Sequence, residues 1–122
     1  MKILVTGPPN SGKKTIAATL NHECVVASRM DVEEMILQHS KFDAAIIVVD
    51  AGHLCEGIFS YTALVGVLGV VPIISVLNKM DAIDYCQTQY VAMSQVLGRC
   101  IPRGLKEIEW YDGRTIEECL AN

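Results

Sequence analysis

The chain has 122 residues, of which 51% are hydrophobic and 20% are charged, and its formal net charge is -4. This length and apolar content exclude a disordered chain and fit one compact domain with a buried core. The acidic balance argues against direct DNA binding, since contacts to nucleic-acid phosphates need clustered Lys and Arg. We therefore expect a single domain over residues 1–122, either complete or the N-terminal part of a longer protein.

No apolar run is long enough to span a membrane, because the longest, residues 63–77, is interrupted by two glycines and a proline. The five cysteines are odd in number, have no C-x-x-C spacing and follow no secretory signal. We expect reduced thiols in a cytoplasmic protein that does not associate with a membrane.

Strand and helix patterns alternate along the chain. Strands are predicted over residues 2–6, 24–27, 44–50 and 72–77, with a last strand ending at Ile101 and Pro102. Helices are predicted over residues 13–22, 31–40, 56–68 and 84–97, with a short helix from Thr115 onward. The run 44–50 is almost wholly apolar, which suits a strand covered on both faces. The pattern predicts an α/β fold, a three-layer sandwich with a mainly parallel sheet.

Two capping boxes mark the starts of predicted helices. Asp31 with Glu34 is expected to open the second helix, and Thr115 with Glu118 the last one. The second helix is expected to bury Val32, Met35 and Ile36.

The strongest motif is GPPNSGK, residues 7–13, which follows a predicted strand and opens a predicted helix. Its glycines let the backbone curl so that N–H groups point at a phosphate, while a lysine and the helix N-terminus add positive charge. The alternative is a Gly/Pro turn before a Lys-rich helix. The predicted phosphate-binding residues are Gly7, Asn10, Ser11, Gly12, Lys13, Lys14 and Thr15.

One position breaks the phosphate-loop pattern. The residue after the loop lysine is normally Ser or Thr, whose hydroxyl binds Mg2+, but here it is Lys14, with Thr15 one place later. A second ammonium could partly replace the charge of the metal, although a solvated lysine is the favoured interpretation. Thr15 and Asp50 are the candidate Mg2+ ligands. Asp50, at a strand end, is equally suited to capping a turn.

A second motif, NKMD at residues 78–81, follows a buried strand. The Asp81 carboxylate can accept hydrogen bonds from N1–H and N2–H of guanine, which adenine does not offer. Asn78 can brace the loop, and the stem of Lys79 can lie over the base. The tetrapeptide alone is a weak signal, since Asn and Asp are ordinary turn residues. Together with the phosphate loop it predicts guanine-nucleotide recognition.

These motifs resemble the translation-factor GTPases, namely elongation factors Tu and 1-alpha and the related GTPase subunit of ATP sulfurylase. Residues 42–51 are similar to the central strand of that family, 68–81 to its base-binding strand and loop, and 110–116 to the segment that closes its GTP-binding domain. The resemblance implies a P-loop NTPase fold with GTP or GDP as ligand. By family analogy it also implies a protein, ribosome or tRNA partner.

Two family features are missing. Only 28 residues, 14–41, separate the phosphate loop from the central strand, so the first switch region and its Mg2+-binding threonine are absent. The D-x-P-G-H motif, which senses the terminal phosphate and supplies the hydrolytic histidine, has no match at its expected position, residues 24–28. The sequence Asp50-Ala51-Gly52-His53 echoes this motif, but its distance from NKMD fits the central strand, so His53 is interpreted as a loop residue.

The S-A-L-K loop of the family, which contacts guanine, has its nearest counterpart at residues 103–106, with Gly104 and Leu105 as candidate guanine contacts. We therefore predict a guanine-nucleotide-binding protein of elongation-factor type with degenerate switch regions and slow or absent GTP hydrolysis. The alternatives are a non-enzymatic pseudo-GTPase interaction module and a GTPase that a partner completes. A nucleotide kinase is disfavoured because no Arg-rich lid is visible.

Overall fold

Five strands form one sheet in the computed structural model, which describes residues 1–53, 58–98, 100–111, 113 and 115–121. The strands are β1 Lys2–Thr6, β2 Glu23–Ala27, β3 Ala44–Asp50, β4 Ile73–Asn78 and β5 Cys100–Pro102. Their order is β2-β1-β3-β4-β5, and every neighbouring pair is parallel. The predicted parallel α/β sheet is confirmed.

The helices cover both faces of this sheet. They are α1 Lys13–Ala18, α2 Arg29–Leu37, α3 Ile58–Leu68, α4 Gln87–Leu97 and α5 Ile116–Ala121. One core contains side chains of α2, α3 and α4, and the opposite core contains side chains of α1 and α5. The arrangement is the predicted three-layer sandwich. No helix within the described residues is long and apolar enough to cross a membrane.

Strand β3 lies at the centre of the sheet and has both faces buried. Ala45, Ile47 and Val49 point into the core of α2, α3 and α4, whereas the alternate residues 44, 46 and 48 point into the core of α1 and α5. Because side chains alternate across a strand, a strand buried on both faces must be apolar at every position. This explains the continuous apolar run that the sequence shows there.

The first two helices differ from their predicted bounds. Helix α1 ends at Ala18 and not near residue 22. At this end, the Thr19 hydroxyl donates a hydrogen bond of 2.7 Å to the Ile16 carbonyl. Helix α2 begins at Arg29 because Ser28, not Asp31, is its N-cap. Ser28 and Asp31 form a reciprocal capping box three residues before the predicted one. The predicted cap at Asp31 was wrong.

The later helices agree more closely. Helix α4 starts at Gln87 rather than at residue 84, since Asp84 and Tyr85 both have a left-handed backbone with φ of 55°. Thr115 caps α5 as predicted, its hydroxyl accepting a hydrogen bond of 3.2 Å from the Glu118 N–H. The predicted start of α3, residue 56, lies outside the described residues.

Candidate nucleotide-binding site

The predicted site residues lie at one edge of the sheet, where the parallel strands end. The phosphate loop follows β1, Asp50 ends β3, Asn78 ends β4, and the predicted guanine loop, residues 103–106, follows β5. The chain passes from β1 to β2 on one side and then to β3 on the other, so the strand order reverses beside β1. Ligands of open α/β sheets bind in the crevice outside such a reversal.

The phosphate loop depends on two glycines for its shape. Gly7 has φ of 150°, and a Cβ there would collide with the carbonyl oxygen of Val48 in β3. Gly12 has φ of 97°, and a Cβ there would collide with the side-chain amide of Asn78. Both positions therefore need glycine, for backbone conformation and for space. The loop is shaped by its close approach to β3 and β4.

The Lys13 side chain turns back into the loop that precedes it. Its Nζ donates hydrogen bonds of 2.8 Å to the Gly7 carbonyl and 3.3 Å to the Pro8 carbonyl. Burial lowers the pKa of Lys13, the charge of Asp31 opposes this shift, and Lys14 adds to it. The ammonium is therefore held in the cradle where the motif predicts a phosphate, and part of its hydration is already lost.

Ser11 is fully buried at the centre of the same loop. Its Oγ has no hydrogen-bond partner among the described residues, while its carbonyl oxygen accepts a bond from Asn78. An unpaired buried hydroxyl is costly and uncommon in folded proteins. The loop thus contains a buried hydroxyl whose hydrogen-bonding capacity is not used by the described residues.

The NKMD segment is bonded directly to the phosphate loop. The Asn78 side-chain amide donates a hydrogen bond of 2.9 Å to the Ser11 carbonyl, and Lys79 Nζ donates one to the Asn10 carbonyl. Lys79 Nζ also lies 3.4 Å from a carboxylate oxygen of Asp50. The β3–β4 register pairs Asp50 with Asn78, so the two strands end level with each other. The structure therefore brings together the phosphate-loop and NKMD residues that the sequence singled out.

The predicted guanine contacts lie beside this junction. Asp81 is exposed in a 3-10 turn over Met80–Ile83. The loop 103–106 is attached to β4 and to the turn after it, because the Arg103 N–H donates to the Leu77 carbonyl and the Met80 N–H donates to the Arg103 carbonyl, each at 2.9 Å. Gly104 and Leu105 are both exposed.

Sequence reasoning missed Tyr85. Its hydroxyl accepts a hydrogen bond of 3.1 Å from the Leu105 N–H, so it connects the turn after NKMD to the predicted guanine loop. The signal in the sequence was a lone aromatic residue four positions after NKMD.

The candidate Mg2+ ligands do not form an oxygen cluster. Thr15 is exposed on the first turn of α1, as is Lys14. One carboxylate oxygen of Asp50 accepts a bond of 2.8 Å from the Gly52 N–H, and the other faces Lys79. Within the described ranges, no group of three or more His, Cys, Asp or Glu could hold a metal ion. Mg2+ prefers a near-octahedral set of oxygens, so the fit is poor.

Strand β2 ends beside the phosphate loop, where the family would carry its D-x-P-G-H motif. The Thr6 hydroxyl of β1 donates a hydrogen bond of 2.8 Å to the Ala27 carbonyl, which fixes this end of β2 against β1. The residues that follow, Ser28 and Asp31, are occupied in the α2 capping box. Hydrogen bonds from Ser28 lower the pKa of Asp31, and the charge of Lys13 contributes.

The three histidines of the chain lie in different places. His22 pairs with Glu117 of α5 at 2.9 Å, His39 is exposed after α2, and His53 is exposed after the β3 turn. The interpretation of His53 as a loop residue agrees with its position.

The chain is similar in sequence to known elongation factors. It is 27% identical to elongation factor 1-alpha of Methanocaldococcus jannaschii over 73% of this chain and 27% of the relative. It is 30% identical to elongation factor 1-alpha of Methanopyrus kandleri over 75% of this chain and 27% of the relative. The chain resembles a translation-factor GTPase domain. No family model matches the chain.

A solved structure agrees with this resemblance at the level of the fold. The apo form of translation elongation factor SelB from Methanococcus maripaludis superposes with a TM-score of 0.63 at 18% identity, covering 84% of this chain and 28% of that one. At such identity the likeness concerns the fold alone. The chain spans about a quarter, 27%, of the length of each of these two elongation factors 1-alpha.

Proposed function

We propose that the chain binds guanine nucleotides through its phosphate loop and NKMD segment, and that it hydrolyses GTP slowly or not at all. The observation that carries the proposal is the double connection between the two motifs, from Asn78 to Ser11 and from Lys79 to Asn10. A mononucleotide must be held at its phosphates and its base together. Motifs that are hydrogen-bonded to each other can present both contacts in one fixed geometry.

The phosphates would lie on the loop of residues 7–13. Its backbone N–H groups, the N-terminus of α1 and the ammonium of Lys13 all supply positive potential there. Lys13 would exchange its bonds with the Gly7 and Pro8 carbonyls for phosphate oxygens. Lys14 is exposed on the same turn and would add a second positive charge without entering the cradle.

The base would be read by Asp81 and by the backbone of the loop 103–106. A carboxylate accepts from guanine N1–H and N2–H, whereas adenine presents an unprotonated N1 at that edge. The backbone N–H of Gly104 can donate to guanine O6, where adenine carries an amino group. These two contacts would favour guanine over adenine through hydrogen bonds that only one of the bases can make.

Slow or absent hydrolysis follows from what surrounds the phosphate loop. Phosphoryl transfer depends almost entirely on positioning and charge, including an oriented water. At the end of β2, the side chains of Ser28 and Asp31 are occupied in a helix cap. His22 is paired with α5. The oxygens of Asp50 and Thr15 do not form a suitable set for Mg2+, and their assignment as metal ligands stays a prediction.

The second candidate function is a pseudo-GTPase interaction module that does not bind nucleotide. One observation favours it. The Lys13 ammonium is satisfied by carbonyls of its own loop, and Lys79 is satisfied by Asn10 and Asp50. Lys13 and Lys79 therefore have partners within the protein, and a nucleotide would have to compete with those partners.

Calorimetric titration of nucleotide-stripped protein with GDP, GTP and ADP, in Mg2+ and then in EDTA, tests the proposal. We expect binding of GDP and GTP, no detectable binding of ADP, and loss of guanine selectivity in Asp81→Asn. Asp84→Asn is the matched control, because it removes an exposed carboxylate three residues further along and asparagine tolerates its left-handed backbone. Absence of GDP binding in both buffers would overturn the proposal in favour of the interaction module.

The resemblance to translation factors suggests that the binding partner of this chain belongs to the translation machinery. We propose to measure GTP turnover by the chain alone and with added ribosomes or tRNA. A large stimulation by either would mean that the missing catalytic groups come from the partner. Unchanged turnover would favour a nucleotide-binding module without GTPase activity.

A further inference from the structure

The backbone of Tyr85 is hydrogen-bonded on one side to the NKMD segment and on the other to Trp110. Its backbone N–H donates a hydrogen bond of 2.9 Å to the Met80 carbonyl, and its own carbonyl accepts one of 2.9 Å from the indole N–H of Trp110. Trp110 packs against Tyr90 of α4, with ring centroids 5.2 Å apart. The left-handed backbone of Tyr85, with φ of 55°, directs the chain into this position. The main chain of Tyr85 is therefore fixed on both sides.

The side chain of Tyr85 contacts three consecutive residues of the loop 103–106. Its Oη accepts a hydrogen bond of 3.1 Å from the Leu105 N–H. Its ring lies so close to Gly104 that a Cβ there would be 2.6 Å from Cε1. The Lys106 ammonium lies 4.8 Å from the ring centroid, in cation–π geometry. One ring thus determines the path of the loop through a hydrogen bond, a steric limit and a charge contact.

The loop itself contributes little to the core. Residues 103–107 are all exposed, and the Leu105 side chain is 89% exposed. A segment held for packing alone would turn its apolar side chain inward. Here the apolar side chain points to solvent, while the backbone is held by Tyr85, by one bond to Leu77 of β4 and by one bond to Met80 of the turn after β4. What the fold maintains in this loop is the orientation of its backbone groups.

The hydrogen bond from Leu105 also separates the two candidate guanine contacts. The Leu105 N–H is engaged by Tyr85, whereas the Gly104 N–H has no partner among the described residues. Of these two amides, the one at Gly104 is left to donate to a base. The direction of the Gly104 N–H depends on two contacts of Tyr85. One is the hydrogen bond that the next residue, Leu105, donates to the Tyr85 hydroxyl, and the other is the ring that lies against Gly104.

We infer that Tyr85 is a positioning residue for recognition of the purine C6 oxygen, acting through the backbone amide of Gly104. The inference rests on the proposed function, because it concerns the base of the same nucleotide. Asp81 reads the N1 and N2 edge of guanine, and the loop held by Tyr85 reads the neighbouring oxygen. The ligand class is thus a 6-oxopurine nucleotide, and Tyr85 determines the 6-oxo part of that preference.

The test compares GDP with 6-thio-GDP, which keeps N1–H and N2–H but replaces O6 by a sulfur that accepts hydrogen bonds weakly. In the wild-type chain we expect GDP to bind more tightly. In Tyr85→Phe we expect the affinity for GDP to fall roughly three- to tenfold, the range for one lost hydrogen bond, with little change for 6-thio-GDP. The ratio of the two affinities should therefore fall towards one.

The matched control is Tyr90→Phe. It also removes a tyrosine hydroxyl, but the hydrogen bond of this hydroxyl, 2.6 Å, goes to the Cys100 carbonyl at the start of β5 and not to the loop 103–106. We expect it to lower stability without changing the GDP to 6-thio-GDP ratio. Gly104→Ala, which sets a methyl group against the ring, is a second variant and should lower that ratio as Tyr85→Phe does.

An equal loss of affinity for both nucleotides in Tyr85→Phe would show a merely structural role and overturn the inference. A change of the ratio in Tyr90→Phe as large as that in Tyr85→Phe would overturn it as well. If the wild-type chain binds neither nucleotide, the proposed function fails and the inference fails with it. Wild-type binding with an unchanged ratio in Tyr85→Phe overturns the inference alone.

Discussion

The side chain of Asn78 donates a hydrogen bond to the carbonyl oxygen of Ser11, 67 residues earlier in the chain, at 2.9 Å. The contact joins the end of β4 to the phosphate loop next to Gly12. Because its acceptor is a backbone atom of the loop, the bond shapes the loop whether or not a nucleotide is present. Asn78 therefore has a structural role in addition to any role in binding.

Replacing Asn78 by Ala should lower both stability and nucleotide affinity. We expect the free energy of unfolding to fall by about 1 kcal/mol for the lost bond, and the affinity for GDP to fall in parallel because the loop loosens. Urea denaturation and GDP titration measure the two effects. Gln89→Ala, which removes an exposed amide from α4, is the control and should leave both values unchanged. An Asn78→Ala chain as stable as wild type would contradict this role.

Gly12 and Gly69 allow backbone strain to be separated from loop geometry. Both have left-handed backbones, with φ of 97° and 83°, but only Gly12 would bring a Cβ against Asn78, whereas nothing lies within 4 Å of a Cβ at Gly69. Gly69→Ala should cost only the left-handed strain, about 1–2 kcal/mol. Gly12→Ala should cost more and should abolish nucleotide binding. Thermal denaturation and GDP titration of the pair test this, and equal effects at the two sites would contradict it.

The sequence leaves two roles open for Asp50, which are capping a turn and binding a metal ion. Asp50→Asn keeps an oxygen for the Gly52 N–H but removes the charge that faces Lys79. For a pair that is partly exposed we expect a loss below about 1 kcal/mol. We also expect the ratio of GDP affinities in Mg2+ and in EDTA to stay unchanged. A variant that loses only the affinity in Mg2+ would instead identify Asp50 as a metal ligand.

Burial raises the pKa of the Cys100 thiol from 9.0 to about 12. An unfolded thiol releases its proton near pH 9, whereas the folded one keeps it up to about pH 12. The stability linked to this thiol is therefore complete below pH 9 and is lost as the pH rises towards 12. We expect native Cys100 to resist iodoacetamide near pH 9, while the half-exposed Cys86 reacts. Peptide mass spectrometry of labelled protein distinguishes the two, and rapid labelling of native Cys100 would contradict its burial.

The central sheet could be predicted from the sequence because its signals are local and unambiguous. The apolar run 44–50 and the short apolar run before the Gly/Pro-rich loop are clear strand signals, and β1 and β3 have the predicted bounds. The start of α2 was predicted wrongly because Asp31 was assigned as the N-cap, whereas in the structure it is the N3 residue that caps back to Ser28. The β2–β1 pairing runs through Ala27, so the helix cap follows directly after the strand.

The candidate site was predictable in part for a similar reason. Phosphate loop and NKMD are short motifs whose residues sit at fixed spacing, and their position at the strand ends follows from a parallel sheet. The role of Tyr85 could not be read in the same way, since it depends on the loop after β5 folding back towards the turn after β4. That contact joins residues 20 positions apart, and no repeating pattern of residues in the sequence indicates it.

The hydrogen-bond ladder of the sheet does not stop where the strands end. The Ala51 N–H donates to the Asn78 carbonyl at 2.8 Å, and further backbone bonds link Arg103 to Leu77 and Met80. The loops that would hold the base are thus backbone continuations of β3, β4 and β5. Segments joined in this way open together with the core, so the amide protons of Ala51 and Met80 should exchange with solvent as slowly as those of the central strands. Nucleotide binding would then depend on the part of the molecule that unfolds most cooperatively. A bound nucleotide would therefore indicate that the whole sheet is folded.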